Sequence, residues 1–226
     1  MAEQEFTHYK DVDPETIARK YWGADYLVDL VMMVGLGLVI IAAAWAANKG
    51  QTWAFIPATI IAFVVFMVLN ARRLRNFAQL QGILMVDCDS QKMERVCQLS
   101  AKRTKKGAER VRFRTLHGMA MALNGKPDDA LEMVEDLQRQ KIQAADALNV
   151  KSVQAAAYRM KGDLAAAADA CDAGLKIDGT ASTLNYQRAI LFLLDGDLTL
   201  ASAYAEEAHA NAATANNYIS SCSIYS

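Results

Sequence analysis

The sequence has few of the residues that build metal sites and disulfide bonds. It contains three histidines and four cysteines, with no CxxC pair and no histidine pattern close to a cysteine. Zinc sites and disulfide frameworks depend on such spacings, so we predict no metal site and no disulfide. The thiols are expected to be free and to serve as small apolar residues. The residues concerned are His8, His117, His209, Cys88, Cys97, Cys171 and Cys222.

Motifs of common catalytic sites are also missing. No Gly-rich phosphate loop, HExxH, GxSxG or kinase-like set occurs in the sequence. The paired acids Asp128-Asp129 and Glu206-Glu207 begin or decorate predicted helices, where solvent or the helix dipole stabilises carboxylates. We therefore expect that the chain is not an enzyme, that it has no catalytic residue and that it binds no cofactor.

Two long apolar runs lie near the N-terminus of this 226-residue chain. Leu27 to Ala47 contains one charge, Asp29, and Trp53 to Leu69 contains none. Helices of about 17 to 25 residues cross a hydrocarbon core, so we predict a transmembrane hairpin over residues 27–70, with spans at 27–47 and 53–69. A pair of buried core helices is the first alternative. A cleaved signal peptide is the second, but the long acidic region before the run and the second run after it favour two spans.

Basic residues flank the two runs and predict their orientation. The segment between the runs carries only Lys49. Because basic flanks stay on the cytoplasmic side, we predict a multi-pass protein of the cell membrane with both termini in the cytoplasm. The flanking residues are Arg19 and Lys20 before the first run, and Arg72, Arg73 and Arg75 after the second.

The intramembrane charge Asp29 allows two interpretations. An acid inside a membrane span is a functional candidate by default. In an antiparallel hairpin, however, Asp29 would lie at the same end as Arg72 and Arg73, so we expect structural pairing at the interface. A transport or signalling role with Asp29 as the active group is the alternative.

A repeat begins near Val111. Gly125, Gly162 and Gly196 are separated by 37 and 34 residues, and each lies between two helical runs. Small residues recur at fixed offsets from these glycines, as expected where two antiparallel helices cross closely. They are Gly118, Ala155 and Ala189 before the glycines and Ala130, Ala167, Ala201, Val134, Cys171, Ala205, Leu137, Gly174 and Ala208 after them.

This pattern resembles the tetratricopeptide repeat (TPR), a 34-residue helix-turn-helix unit that stacks into a superhelix. The middle copy, Leu148 to Ala181, matches best, although Gly179 replaces the usual proline and no copy has the family's tryptophan. The resemblance implies an all-α fold, with a cytosolic array of about three repeats following the hairpin, as in membrane-anchored bacterial TPR-like proteins. Helices at Phe77 to Val86 and Gln91 to Ala101 would form a degenerate fourth repeat or a coupling element.

The predicted domains follow from these features. Residues 1–26 form an N-terminal cytosolic segment with a short helix starting at Asp13-Pro14-Glu15, and residues 27–70 form the hairpin. Residues 71–110 form a basic membrane-proximal helical pair, and residues 111–226 form the repeats.

Charge is concentrated beside the membrane. Residues 72–114 carry 12 basic and 4 acidic residues, although the whole chain has a net charge of −1. Each basic residue near an anionic surface adds roughly 1 kcal/mol, so we expect contact with anionic lipid; a solvated helix end is the alternative. This basic segment lacks interleaved aromatic residues and a known nucleic-acid-binding fold, which argues against nucleic acid as a partner. The predicted lipid-proximal residues are Arg72, Arg73, Arg75, Lys102, Arg103, Lys105 and Lys106.

Together these features predict a membrane-anchored scaffold or adaptor that uses the array to recruit a protein partner. TPR arrays bind partners on a concave face lined by the first helix of each pair. A self-assembling structural protein is a further alternative, since Ile190, Leu193 and Leu194 near the end of the array lack a predicted cover, and the chain would then form a homo-oligomer. The predicted partner-binding residues are Arg112, Thr115, Asn149, Ser152, Arg159 and Tyr186.

Overall fold

The computed structural model describes residues 9–50, 55–101, 103–104, 107–140 and 142–214. These residues form α-helices and no strand, which confirms the predicted all-α class. The helices are α1 (Pro14–Asn48), α2 (Phe55–Met85), α3 (Ser90–Ala101), α4 (Gly107–Leu123), α5 (Pro127–Gln138), α6 (Ala144–Lys161), α7 (Leu164–Leu175), α8 (Ser182–Asp195) and α9 (Leu198–Thr214).

The chain divides into two compact units. One extends from Thr16 to Leu80, and the other combines the chain before Thr16 with the chain from Gln81 onward. The first unit holds most of α1 and α2. The second holds α3 to α9 together with the N-terminal segment.

One helix of the first unit is long and apolar enough to cross a membrane. This stretch is Leu30–Asn48 in α1, and only Ala43 within it is buried. The apolar stretch of α2 is shorter, Phe55–Leu69, and the predicted start of the second span at Trp53 lies outside the described residues. The second crossing and the orientation therefore stay predictions.

One local expectation for α2 needs correction. Phe77 to Val86 is not a separate helix, since α2 continues without a break to Met85. The predicted helix start is correct: α1 begins at Pro14 with Glu15 in its first turn.

In the second unit, three helix pairs are closed by the same backbone turn. Gly125, Gly162 and Gly196 have φ values of 74°, 79° and 85°, the left-handed region that glycine adopts without strain. In each turn the glycine N–H donates to the carbonyl three residues before it, and the next N–H donates to the carbonyl five residues before itself. These are the two bonds of a Schellman motif, so the three turns are equivalent in structure.

Aspartates follow two of these glycines and cap the next helix. Asp163 accepts a hydrogen bond from the N–H of Ala166 at 3.0 Å, and Asp197 accepts one from Leu200 at 3.0 Å. Asp89 caps α3 in the same way through the N–H of Lys92 at 2.8 Å. Each carboxylate satisfies an N–H that the helix itself cannot bond.

Small residues allow the helices to cross closely, as predicted. An added Cβ at Gly118 would lie 3.1 Å from Val153 Cγ1, and one at Gly174 would overlap the side chain of Leu184. The small positions noted in the sequence are buried, except for the half-buried Ala205. Two apolar clusters form the core around them, one centred on Val134, Leu137 and Val153 and the other on Ala167, Cys171 and Leu184.

Candidate interaction surface

The first helix of each pair packs against the first helix of the next. The helix α4 packs on α6, and α6 packs on α8. We call α4, α6 and α8 the first-helix layer, and α5, α7 and α9 the second-helix layer. Because each first helix ends in the same glycine turn, residues at one offset from the three glycines occupy equivalent places.

Two of the six predicted partner-binding residues are buried, which corrects the prediction for them. The Thr115 hydroxyl donates to the carbonyl oxygens of Val111 and Arg112, at 3.1 and 2.9 Å, within its own helix. Ser152 Oγ and its carbonyl oxygen both accept from Gln187 Nε2 at 2.9 Å. The polar groups of both residues are engaged in hydrogen bonds within a helix or between helices, so neither side chain is available to a partner.

The other four predicted residues remain candidates. Asn149 is exposed, whereas Arg112, Arg159 and Tyr186 are half-buried. Arg159 Nε is buried and has no hydrogen-bond partner in the part of the chain that the structure describes.

Three exposed apolar residues lie on this layer, and of these only Leu194 was identified from the sequence. Leu123, Met160 and Leu194 each precede the turn glycine by two residues, and their exposed fractions are 40%, 45% and 58%. We call these three residues the inner stripe. Their common offset from the repeated glycines is the sequence signal that identifies them.

The two layers carry opposite charge. Net charges in the first-helix layer are +2 for α4, +2 for α6 and zero for α8. Those in the second-helix layer are −5 for α5, −2 for α7 and −2 for α9, and its three helices contain no lysine or arginine. Ion pairs join the layers: Arg114 with Asp136 at 3.3 Å, Lys161 with Asp128 at 2.5 Å and Arg188 with Asp172 at 3.3 Å.

A buried carboxylate fastens α3 to the first glycine turn. Glu94 accepts from Asn124 Nδ2 at 2.6 Å and from Lys126 Nζ at 2.8 Å. Burial acts to raise the pKa of Glu94, but these two hydrogen bonds and the charges of Lys126 and His117 together outweigh it, so the pKa is lowered. This turn lacks the acidic cap of the other two, and its side chains instead hold the preceding helix.

A groove of about 360 Å³ lies where α3, α4 and α5 meet. Arg110, Arg114 and His117 line one side, spaced so that they share a face of α4, and Phe113 and Met133 add apolar surface. Burial lowers the pKa of His117. At neutral pH the two arginines therefore supply most of the positive charge in this groove.

The predicted lipid-proximal residues are only partly within the described chain. Arg72, Arg75 and Arg103 are exposed. Lys102, Lys105 and Lys106, and the side chains of Arg73 and Asp29, lie outside the described residues. The predicted lipid contact and the role of Asp29 therefore stay predictions.

The cysteines match the expectation of free thiols where they are described. Cys97 and Cys171 are buried, and Cys88 is exposed. Burial raises the pKa of Cys171 to about 12 and also raises that of Cys97, so both stay neutral thiols. Within the described ranges, no three His, Cys, Asp or Glu side chains gather into a group that could hold a metal ion.

The structure therefore offers a layered helical array with one basic, partly apolar layer and one acidic layer. Its glycine turns agree with the residue pattern that suggested a TPR-like repeat. Comparison of the chain with protein-family models, curated proteins and solved structures finds no match in any of the three.

Proposed function

We propose that the protein is a membrane-anchored scaffold that recruits a protein partner through the first-helix layer of a TPR-like array. The recurrence of one Schellman turn at three glycines, each between two packed helices, carries this proposal. Repeats of this kind expose an extended surface to partners, because each unit contacts only its neighbours.

The contacts among α3 to α9 support the array. Each second helix packs on the first helix of the following pair, α5 on α6 and α7 on α8. The helix α3 packs on α4 in the same relation. It thus takes the place of a second helix, which favours a degenerate fourth repeat at the start of the array.

A contact within the second unit supports two membrane crossings. Lys92 Nζ donates to the carbonyl oxygens of Tyr9 and Lys10, and Arg95 pairs with Glu15 at 3.2 Å. The chain before α1 and the chain after α2 thus touch each other, and in a membrane protein both would lie on the same side of the membrane. A single crossing by Leu30–Asn48 would separate them, whereas a return through α2 keeps them together, and the basic flanks favour the cytoplasmic side.

The anchor would place basic residues near lipid head groups. Arg72 and Arg75 follow the apolar stretch of α2 and are exposed, as is Arg103. Their attraction to anionic lipid would add to the hydrophobic anchor. This contribution should weaken as salt rises, because exposed charges are screened.

A second function, self-association through the end of the array, is favoured by exposed leucines. Leu193, Leu194, Leu198 and Leu200 are all exposed in α8 and α9. A terminal repeat usually needs a polar cap. Light scattering of the full chain in mild detergent tests this function: a dimer that Leu198→Gln converts to monomer supports it, and a monomer before substitution rules it out.

Crosslinking in cells tests recruitment. A photoreactive amino acid at Asn149 or Tyr186 should capture the same protein, whereas one at the exposed Glu132 in α5 should not. Removing this chain from cells should release the captured protein from the membrane fraction. Equal capture from Glu132, or unchanged membrane association of the captured protein, would contradict recruitment through this layer.

Topology is tested separately. In sealed vesicles, tags at the N-terminus and the C-terminus should be cut by protease together or protected together. Protection of one tag and cleavage of the other would refute the two-crossing anchor without bearing on the array.

A further inference from the structure

The inner stripe and the charge of its layer point to one class of partner. Resting on the proposed function, we infer that the first-helix layer binds an extended acidic segment of the partner protein, with apolar side chains at every third residue. Three features carry this inference: the recurrence of the stripe, the spacing of its helices and the charge around it.

The stripe recurs once per helix pair. Leu123, Met160 and Leu194 all lie in the last turn of a first helix, two residues before a glycine of the same conformation. On α4 and α8, the half-buried Met119 and Ile190 lie one turn earlier on the same face. Single exposed apolar residues are common on surfaces, but three at equivalent places form a row.

The spacing of the helices selects an extended ligand. Packed helices lie about 8 to 10 Å apart, so successive members of the stripe should be about that far apart. A polyproline II segment has three residues per turn and rises about 3.1 Å per residue, which places its i and i+3 side chains on one face about 9.3 Å apart. Side chains on one face of a β-strand are about 6.6 or 13 Å apart, and neither distance matches the 8 to 10 Å between packed helices as well.

The surrounding charge selects an acidic ligand. Arg112 and Arg159 share the layer with the stripe, and the second-helix layer beyond it is uniformly acidic. Asp146, the acid of α6, is buried, and Asp195 ends α8 beside Leu194. The acidic residues of the ligand are therefore expected to lie over α4 and α6 rather than over α8, and a basic segment would meet the two arginines unfavourably.

The experiment uses the full chain in lipid nanodiscs and three labelled peptides. The test peptide is Leu-Glu-Pro-Leu-Asp-Pro-Leu, in which the leucines are three residues apart and proline favours the polyproline II form. One control replaces both acids with lysine, and the other replaces the leucines with serine. Fluorescence anisotropy should show that the test peptide binds about tenfold or more tightly than either control, a difference of about 1.4 kcal/mol.

Variants locate the binding on the stripe. Met160→Gln should weaken binding of the test peptide at least threefold, whereas Ile177→Gln should leave it unchanged. Met160 and Ile177 are matched, since both are 45% exposed, but Ile177 lies beyond the end of α7, outside the first-helix layer. Arg159→Gln should reduce the preference for the acidic over the lysine peptide, and circular dichroism of each variant should match that of the parent chain.

Several results would overturn the inference. Equal binding of the lysine peptide would remove the charge preference, and equal loss in the Ile177 variant would remove the site. Tighter binding of a helical peptide with leucines seven residues apart would replace the extended ligand by a helix, whose i and i+7 residues are about 10.5 Å apart. If the partner segments captured by crosslinking in cells are basic, the inference is overturned but the proposed recruitment still holds. If no protein is captured, recruitment itself is refuted.

Discussion

Lys92 Nζ lies 2.7 Å from the carbonyl oxygen of Lys10, although the two residues are 82 positions apart in the chain. The same ammonium group donates to the carbonyl oxygen of Tyr9 at 3.0 Å and lies 3.4 Å from Asp89 Oδ2. One side chain of α3 therefore holds the segment that enters α1. In the proposed arrangement, the array and the entry to the membrane are fastened together on one side.

Replacing Lys92 by methionine should release the N-terminal segment. Methionine keeps the apolar stem but removes the donors, so the carbonyls of Tyr9 and Lys10 lose hydrogen bonds to a charged group, each worth about 1.5 to 3 kcal/mol. Hydrogen exchange measured by mass spectrometry should speed up over residues 9–15 and stay unchanged over α6 and α7. Arg95→Met is the matched control: its ion pair with Glu15 is exposed, so about 0 to 1 kcal/mol is expected. Unchanged exchange in the Lys92 variant would show that the contact does not hold the segment.

The Glu94 network should make stability depend on pH. The pKa of Glu94 is lower in the folded chain than its ordinary value of 4.5, so its contribution is present above that value and is lost as pH falls through the folded pKa. Glu94→Gln keeps the shape but removes the charge that Lys126 and Asn124 contact. Urea titrations in detergent should show a less stable variant at pH 7, by about 1.5 to 3 kcal/mol, and a smaller difference at pH 3. A difference that is constant over this range would contradict a role for the ionised carboxylate.

The sequence predicted the helices and the glycines between them because the signals are local, and the caps beside these glycines are local as well. A glycine that ends a helix in a turn of this kind takes the left-handed conformation, as Gly162 does. The cap by Asp163 depends only on the N–H of Ala166, three residues later. The burial of Ser152 was not predictable in the same way. It depends on Gln187, 35 residues further along, and thus on how two helices meet. The repeat period placed Ser152 on the partner-binding face, but its hydroxyl accepts a hydrogen bond in the interior.

The three turn glycines should respond alike to substitution. Gly125→Ala, Gly162→Ala and Gly196→Ala each force a Cβ into the left-handed region, at about 1 to 2 kcal/mol. An added Cβ would meet no described atom within 4 Å at any of them, so the backbone conformation alone sets the cost. Thermal unfolding in detergent should give similar losses for the three variants. A loss at Gly162 with none at Gly125 and Gly196 would contradict their equivalence.

The close crossing of α7 and α8 at Gly174 should tolerate no added methyl group. A Cβ there overlaps Leu184 and lies 3.2 Å from Lys151 Cβ, and Leu184 is itself fully buried. Gly174→Ala should therefore destabilise the chain by about 1 to 3 kcal/mol, the usual cost of overpacking a filled core. Gly179→Ala is the control, because its added Cβ would lie an ordinary 3.8 Å from the Leu175 carbonyl oxygen.

A double variant tests the contact directly. When Gly174→Ala is combined with Leu184→Val, the smaller valine should recover part of the loss, since the clash involves the leucine Cδ1 atom. Strictly additive losses would show that the two side chains do not meet, and the helix pair α6–α7 would then pack against α8 in a different way from the one described.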